Sequence, residues 1–388
     1  MSFTRVCSCL AAGLLLLGAC TGSNASSTSP TSTHPTVSTD ASPSASPTAF
    51  LAGAAPLPAG CHGPSLTEAE TAAFAAEGRI WALDPHTGRL SCLLQSNDPG
   101  PFLWGPRGDR VLLGGFQVAG FGKAPSFPAT GIHPAIEDWG HPIGIAIVFG
   151  QPDATHPQKF FLETNKTKTL RDLPAATYLD VAYHPTGLAL GFILERAGSQ
   201  SIWLSTNEGE QPKRLVFTNE GTTFSDVTFT HDGESLVYVA HHSAGYSEVH
   251  TIDLASPTTL NSLWKGPVGE YVRTVAPSPN DQRFAVTEGN SCQTSRSALL
   301  LGRAGERPLV PEAAGPSTII GWLDNTTALV GVGGCGSRID LYASDATGAS
   351  APDLLVTGVD AAASRAPAPE APTSLPKEVQ LDTGPGVG

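Results

Sequence analysis

One local pattern returns six times along the chain at intervals of 36 to 48 residues, and this repeat restricts the fold more than any other feature. Each copy is a short apolar strand, a turn built on Pro, Asp, Asn or Gly, and a second apolar strand. A period of about 40–50 residues with strand-type patterning is typical of the blades of a β-propeller. The six copies are Phe102–Leu113, Trp139–Val148, Val181–Leu190, Val227–Tyr238, Val275–Val286 and Ile320–Val330.

A second kind of hairpin lies between these copies. Its clearest example is Ile80–Leu90, whose turn contains Asp, Pro and Gly, the residues that favour tight turns. Two alternating hairpins make one four-stranded blade, with the second hairpin supplying the outer strands, and neighbouring blades bury each other's faces. Related segments are Ile202–Gly209, Val249–Ser256 and Ile339–Gly348, with weaker matches at Phe160–Lys166 and Ala298–Ala304.

The sequence therefore predicts an all-β protein, a β-propeller of six or seven four-stranded blades. The number stays open because residues 116–131 are short and broken by Gly and Pro, which makes a poor outer hairpin. Residues 71–94 contain three strands of a further blade that a C-terminal strand would complete, so we favour seven. The 42 Gly and 33 Pro residues disfavour a helical bundle. The one helix expected is Leu66–Ala76, because Ser65 or Thr67 provides an N-cap.

Two of the turns resemble a known repeat. Ser278–Ala285 and Tyr183–Ala189 are similar to the Ser-Pro-Asp-Gly-x-x-Leu-Ala turn of TolB-like and WD-like propellers. The similarity covers most of residues 79–357. It implies a propeller fold and no particular activity, since many propellers share this turn.

The N-terminal segment has the pattern of an export signal. An apolar run from Leu10 to Leu17 follows a single basic residue, Arg5, and is too short to span a bilayer. The sequence Leu17-Gly18-Ala19-Cys20 resembles the lipobox of bacterial lipoproteins, which implies removal of residues 1–19 and acylation of Cys20. A signal peptide cut at an ordinary site is the alternative. A lipid anchor would place the protein on the extracytoplasmic face of the cell membrane.

The remaining chain divides by composition. Residues 20–60, rich in Ser, Thr and Pro, are expected to form a disordered tether, because such a segment buries too little apolar surface to offset its ordering entropy. Residues 61–358 are assigned to the propeller. Residues 359–388, rich in Ala and Pro, are expected to be a disordered tail.

Four cysteines remain after the signal segment and Cys20 are set aside. An even number in an exported domain favours two disulfides, and a zinc site is the alternative, although no Cys-x-x-Cys spacing occurs. Cys292 and Cys335 follow equivalent turn positions by nearly the same number of residues. We therefore predict that Cys292 pairs with Cys335 and that Cys61 pairs with Cys92.

Catalytic and cofactor motifs are absent from the sequence. It contains no Gly-x-Ser-x-Gly, His-Glu-x-x-His, P-loop or Gly-x-Gly-x-x-Gly motif, so no catalytic residue, cofactor or metal site is predicted. His231, His241, His242, Glu248 and His250 are one concentration of groups that suit metal ions. Because His241 and His242 are adjacent and residues 241–247 have the composition of a loop, solvated histidines are the preferred interpretation.

Two functions remain open. A net charge of −13 without a basic cluster disfavours nucleic-acid binding. The preferred function is a non-catalytic binding or scaffold protein of the cell envelope that recognises a protein, peptide or glycan. The alternative is a propeller enzyme (a lyase, cyclase or glycosidase), which needs acid and base residues near the central channel, and no inner strand shows a clear candidate. The insertion 116–138 is a candidate contact surface, with a ring-closing loop as the alternative.

Overall fold

A computed structural model describes residues 71–95, 155–161, 166–217, 221–257, 260–303, 305–334, 336, 338–364 and 374–375, together with the backbone of the strands between 103 and 150. The chain divides between residues 45 and 46 into two units, and every described residue belongs to the second. The signal segment, Cys20 and the tether lie outside the described residues.

The described chain is built from four-stranded antiparallel sheets, and there are seven of them. In chain order the strands are, for blade 1, β1 (Ala72–Ala76), β2 (Arg79–Leu83) and β3 (Leu90–Gln95); for blade 2, β4 (Leu103–Trp104), β5 (Arg110–Leu113), β6 (Gln117–Gly120) and β7 (Phe127–Pro128); for blade 3, β8 (Ile136–Trp139), β9 (Ala146–Gly150), β10 (Gln158–Phe161) and β11 (Lys166–Thr169); for blade 4, β12 (Thr177–Tyr183), β13 (Ala189–Arg196), β14 (Ser199–Thr206) and β15 (Lys213–Phe217).

The later strands follow the same order. They are, for blade 5, β16 (Thr222–Phe229), β17 (Ser235–His242), β18 (Tyr246–Asp253) and β19 (Leu260–Lys265); for blade 6, β20 (Val272–Pro277), β21 (Phe284–Glu288), β22 (Arg296–Leu300) and β23 (Glu306–Pro308); for blade 7, β24 (Ser317–Trp322), β25 (Thr327–Val332), β26 (Ile339–Asp345) and β27 (Asp353–Val359); and finally β28 (Ala361–Ser364), which belongs to blade 1. Among the described residues the one helical element is a 3-10 turn at Glu312–Ala314. This part of the chain has no helix that is long and apolar enough to cross a membrane.

The first strands of successive blades lie side by side. β8 contacts β12, β12 contacts β16, β16 contacts β20 and β20 contacts β24, while β28 lies between β24 and β4. The sheets are therefore arranged radially, with these strands innermost. The fold is a seven-bladed β-propeller. The two alternating hairpins predicted from the sequence are the inner and outer halves of each blade.

Blade 1 is completed from the far end of the chain. β28 pairs antiparallel with β1, from Ala72 opposite Ser364 to Ala75 opposite Ala361. The predicted boundary at residue 358 is thus too early, because Ala361–Ser364 is blade structure and not part of a tail. The predicted helix Leu66–Ala76 is also wrong over Ala72–Ala76, where every residue is buried between β2 and β28.

Blade 2 has all four of its strands. Residues 116–131 have the composition of a poor outer hairpin, yet β6 and β7 form there, with β7 only two residues long. Part of the insertion 116–138 is therefore an outer hairpin, whereas residues 121–126 and 129–135 lie outside the described residues.

Neighbouring blades bury apolar side chains against one another. One cluster joins Ile193 and Ile202 of blade 4 to Phe229 and Leu236 of blade 5, and similar clusters join blades 5 to 6, 6 to 7 and 7 to 1. At Gly191 a Cβ would come within 2.7 Å of Leu236 Cδ1 and 3.1 Å of Phe229 Cζ, so a larger residue would force these side chains to shift. The tryptophans Trp81, Trp264 and Trp322 are buried in these clusters.

Polar turn residues also connect consecutive blades. The buried His184 ring lies with Nε2 2.8 Å from the carbonyl oxygen of Gly233 in the next blade. Asp281 accepts hydrogen bonds from the backbone N–H groups of His231 and Asp232 at 2.8 and 2.9 Å. The turn motif that repeats in the sequence therefore stabilises the ring as well as shaping each hairpin.

Candidate functional site

A pocket of about 750 Å³ opens where blades 4, 5 and 6 meet. Blade 4 contributes the β13–β14 turn and the end of β15, blade 5 the start of β16 and the β17–β18 turn, and the connection into blade 6 contributes one tyrosine. Its wall combines aromatic rings, hydroxyls and imidazoles. The lining residues are Gly198, Ser199, Phe217, Gly221, Thr222, Thr223, His241, His242, Ser243 and Tyr271.

His241 is fixed in the pocket wall by two serines. Its Nε2 lies 2.7 Å from Ser225 Oγ, and its Nδ1 lies 2.9 Å from Ser247 Oγ. The Val272 N–H donates to the same Ser247 hydroxyl at 3.1 Å, which ties the wall to blade 6. Burial is the largest cause that lowers the pKa of His241, and the neighbouring His242 lowers it further. The ring is therefore held in its neutral form near pH 7.

The predicted loop at 241–247 is wrong, because His241 and His242 are the last two residues of strand β17. Because they are consecutive on this strand, their side chains point to opposite sides of it. His242 faces β18, where its Nε2 lies 3.1 Å from Glu248 Oε2, and His250 Nε2 lies 3.0 Å from the same oxygen. His231 is not part of this group, since its ring contacts Asp281.

Three half-buried side chains are thus brought together by strand geometry. Glu248 and His250 are two residues apart on β18 and share a face of the sheet. His242 on β17 lies on the same face, diagonally across from Glu248, which pairs with Ala240. Burial lowers the pKa of His250, while Glu248 acts in the opposite direction. Burial tends to raise the pKa of Glu248, but the two imidazoles hold it below its usual range.

Two inner-strand carboxylates were missed by the sequence analysis. Asp180 on β12 accepts hydrogen bonds from the N–H groups of Val181 and Val227, at 2.9 and 2.6 Å, and Asp226 on β16 accepts one from Val275. Burial raises the pKa of both carboxyls, and Asp180 raises that of Asp226 further. Each carboxylate reaches the inner strand of the next blade, so both connect blades.

Blade 6 holds a second group of acidic side chains around one cation. Arg296 Nη2 lies 2.7 Å from Glu270 and 2.9 Å from Glu288, and it also contacts Glu306. Glu288 is only 1% exposed. Burial is the largest cause that raises its pKa, followed by the adjacent Glu306. The guanidinium occupies the centre of this group.

The structure describes two of the five cysteines that the sequence singled out, Cys92 and Cys292. Cys92 on β3 and Cys292 after β21 are each disulfide-bonded. Cys61 and Cys335 lie outside the described residues, as does Cys20, so both pairings and the lipid attachment remain predictions.

Comparison with known proteins gives similarity at the level of structure. No family model matches the chain, and no curated protein matches it. TolB from Acinetobacter baumannii is 14% identical, covers 76% of this chain and 66% of its own, and has a TM-score of 0.45. A putative TolB from Agrobacterium tumefaciens is 12% identical with a TM-score of 0.46, covering 75% of this chain and 92% of its own.

A prolyl endopeptidase structure is 13% identical with a TM-score of 0.53 and covers 75% of this chain and 50% of its own. This chain therefore spans about two-thirds of the Acinetobacter TolB and half of the endopeptidase. The similarity shows the fold alone. The endopeptidase match, at a TM-score of 0.53, agrees with the fold described above.

Proposed function

We propose that this protein is a lipid-anchored propeller on the extracytoplasmic face of the cell membrane that binds an envelope partner without catalysing a reaction. The observation that supports this most directly is the pocket between blades 4, 5 and 6. Its wall belongs to strands and tight turns of a closed ring, which favours recognition by a rigid surface. Its volume is in the range of ligand-binding clefts.

The rim of the pocket favours a polypeptide partner. Phe217 lies at the rim and is 52% exposed, and the hydroxyls of Thr222, Thr223 and Tyr271 are nearby in the lining. An exposed aromatic ring beside hydroxyl groups is a combination found in protein interfaces, where the ring is the anchor and the hydroxyls provide hydrogen bonds. A glycan is the other partner class that fits an aromatic platform.

The pocket histidine His241 and two inner-strand carboxylates outside the pocket support binding more than catalysis. The His241 ring is engaged at both nitrogens by serine hydroxyls. The inner-strand carboxylates Asp180 and Asp226 accept backbone hydrogen bonds across blade boundaries. A general acid or base needs a free position toward a substrate proton, so these groups act as structural supports.

Attachment to the membrane through Cys20 and two disulfides, Cys61–Cys92 and Cys292–Cys335, complete the proposal. The tether 20–60 would then hold the propeller away from the lipid surface. Cys20→Ser is expected to release the protein from membranes or to leave the precursor uncut. Normal processing and membrane partitioning of this variant would contradict the anchor.

The binding proposal is tested with two matched surface variants. Phe217→Ser removes the exposed ring at the pocket, and Leu301→Ser removes an apolar side chain of similar exposure, 55%, on blade 6. Purified protein is incubated with solubilised envelope, cross-linked, and the captured molecules are identified by mass spectrometry. We expect Phe217→Ser to lose a specific partner that the wild type and Leu301→Ser retain. Equal capture by all three proteins would contradict binding at this pocket.

A further inference from the structure

Blade 5 carries a compact set of metal-ligand atoms beside the pocket. His242 Nε2, His250 Nε2 and Glu248 Oε2 all lie within 4.8 Å of one another, with the glutamate oxygen 3.1 and 3.0 Å from the two nitrogens. All three come from the β17–β18 hairpin, whose strands are paired without interruption from Ser235 to His242. Their relative positions are therefore set by regular strand geometry.

The spacing of these atoms matches the coordination shell of a small divalent cation. Zn²⁺ bonds to imidazole nitrogen and carboxylate oxygen at about 2.0–2.1 Å, so two ligands of a tetrahedral ion lie roughly 3.3 Å apart. The glutamate oxygen is already close to this separation from both nitrogens. Two imidazoles with one carboxylate also form a ligand set that first-row transition metals accept.

The surrounding side chains hold both rings in place. The His242 ring stacks on Tyr246 at 4.5 Å, and the His250 ring stacks on Tyr238 at 5.2 Å. Thr222 Oγ1 lies 3.4 Å from His242 Nδ1. When Nε2 binds a metal, the proton of a neutral His242 ring lies on Nδ1, where this hydroxyl can accept it. His242 also lines the pocket, so a ligand entering the pocket would approach this position.

Among the described residues, Lys265 is the one cationic side chain that contacts the group of His242, Glu248 and His250. Its Nζ lies 3.6 Å from Glu248 Oε1 and 4.1 Å from the centre of the Tyr246 ring, and the side chain is 55% exposed. The group around Arg296 in blade 6 differs, because there a guanidinium contacts all three carboxylates. On blade 5 the ammonium is peripheral, and the space between the two imidazoles and the carboxylate is not taken by a protein cation.

We propose that His242, Glu248 and His250 bind a divalent transition-metal ion of the Zn²⁺ class on blade 5. The two Nε2 atoms and one carboxylate oxygen supply three ligands. Metal binding needs both imidazoles in the neutral form, so affinity falls at acidic pH. Lys265 repels the bound cation and limits the affinity.

The test uses the tag-free full chain in detergent, treated with chelator and titrated with zinc sulfate by calorimetry. We expect one equivalent of Zn²⁺ per chain, with affinity more than about tenfold weaker in His242→Gln and in His250→Gln. His231→Gln, a histidine of the same blade outside the group, is the matched control and keeps wild-type affinity. Cobalt(II) absorption gives an independent readout of nitrogen and oxygen ligation.

Lys265→Gln distinguishes a metal site from a merely structural polar group. Removing the ammonium is expected to tighten Zn²⁺ binding several-fold, whereas the loss of a structural ion pair would leave it unchanged. Circular dichroism and the metal-free Tm establish that each variant is folded, and Glu248→Gln replaces any histidine variant that is not. Zinc affinity within twofold of wild type in the folded ligand variants, or no gain in Lys265→Gln, would overturn the proposal.

Discussion

Ring closure depends on one four-residue strand near the end of the chain. β28 pairs with β1 at four positions, and the Asp360 N–H donates to the Ala75 carbonyl oxygen at 2.8 Å. A chain that stops after Val359 lacks all of these contacts. A chain that stops after Arg365 retains them and differs only by six further residues, so it is the matched control.

The loss can be estimated from the ladder. Four antiparallel pairs correspond to about four backbone hydrogen bonds, each worth roughly 0.5–1.5 kcal/mol, which gives about 2–6 kcal/mol. The alanine side chains of β28 add little, because they bury little apolar surface. At roughly 2–4 °C per kcal/mol, the conversion for domains of about 150–250 residues, Tm should fall by about 4–24 °C.

Scanning calorimetry and amide hydrogen exchange measure this effect. The shorter chain should melt earlier and should exchange the amides of Ala72–Ala76 faster, since β1 becomes an edge strand. The chain that ends at Arg365 should protect Ala72–Ala76 as the full chain does, and any difference in Tm between these two chains reports the contact of Leu375 with blades 4 and 5. Equal Tm and equal protection of Ala72–Ala76 in the two truncated chains would refute closure by β28.

Three further predictions concern buried groups and cysteines. Burial raises the pKa of Glu288 above its ordinary 4.5. The folded state therefore binds this proton more tightly than the unfolded state does, and the free energy of unfolding falls as pH rises. Glu288→Gln should raise Tm at pH 9 and leave it nearly unchanged at pH 4. Asp226→Ala should destabilise by about 1–3 kcal/mol in urea unfolding, since it leaves the Val275 N–H without its acceptor, whereas Asp226→Asn should cost less. Non-reducing peptide mapping should recover Cys292 linked to Cys335, and a free thiol at either position would contradict the pairing.

The repeat made most of the fold predictable. Turn residues such as those in Ser278–Ala285 fix where each hairpin reverses, and apolar strands between them fix the blade period. The sequence misassigned Ala72–Ala76, because alanine-rich segments have high helix propensity. In the structure these residues have ladder partners on both sides, and tertiary pairing outweighs local propensity. The short β28 has too little pattern of its own to be separated from the tail.

The candidate site was harder to predict. Glu248 and His250 show the two-residue spacing of a shared strand face, which a strand assignment at 246–253 would have revealed. The relation to His242 depends on the register of the hairpin, and that register follows from where the turn lies. Asp180 and Asp226 occupy the same position in consecutive repeats, just before Val181 and Val227, so alignment of the repeats was the available signal.

Blade 1 has a consequence for the order of folding. Its innermost strand is β28. Blade 1 therefore lacks one of its four strands until nearly the whole described chain has been synthesised. Bringing such distant segments together costs loop-closure entropy and slows folding in proteins dominated by long-range contacts. During that interval β1 exposes an unpaired apolar edge, the kind of surface on which other chains can add strands. Such a chain avoids strand addition at β1 if it stays unfolded or bound to a chaperone until its C-terminal strand is available.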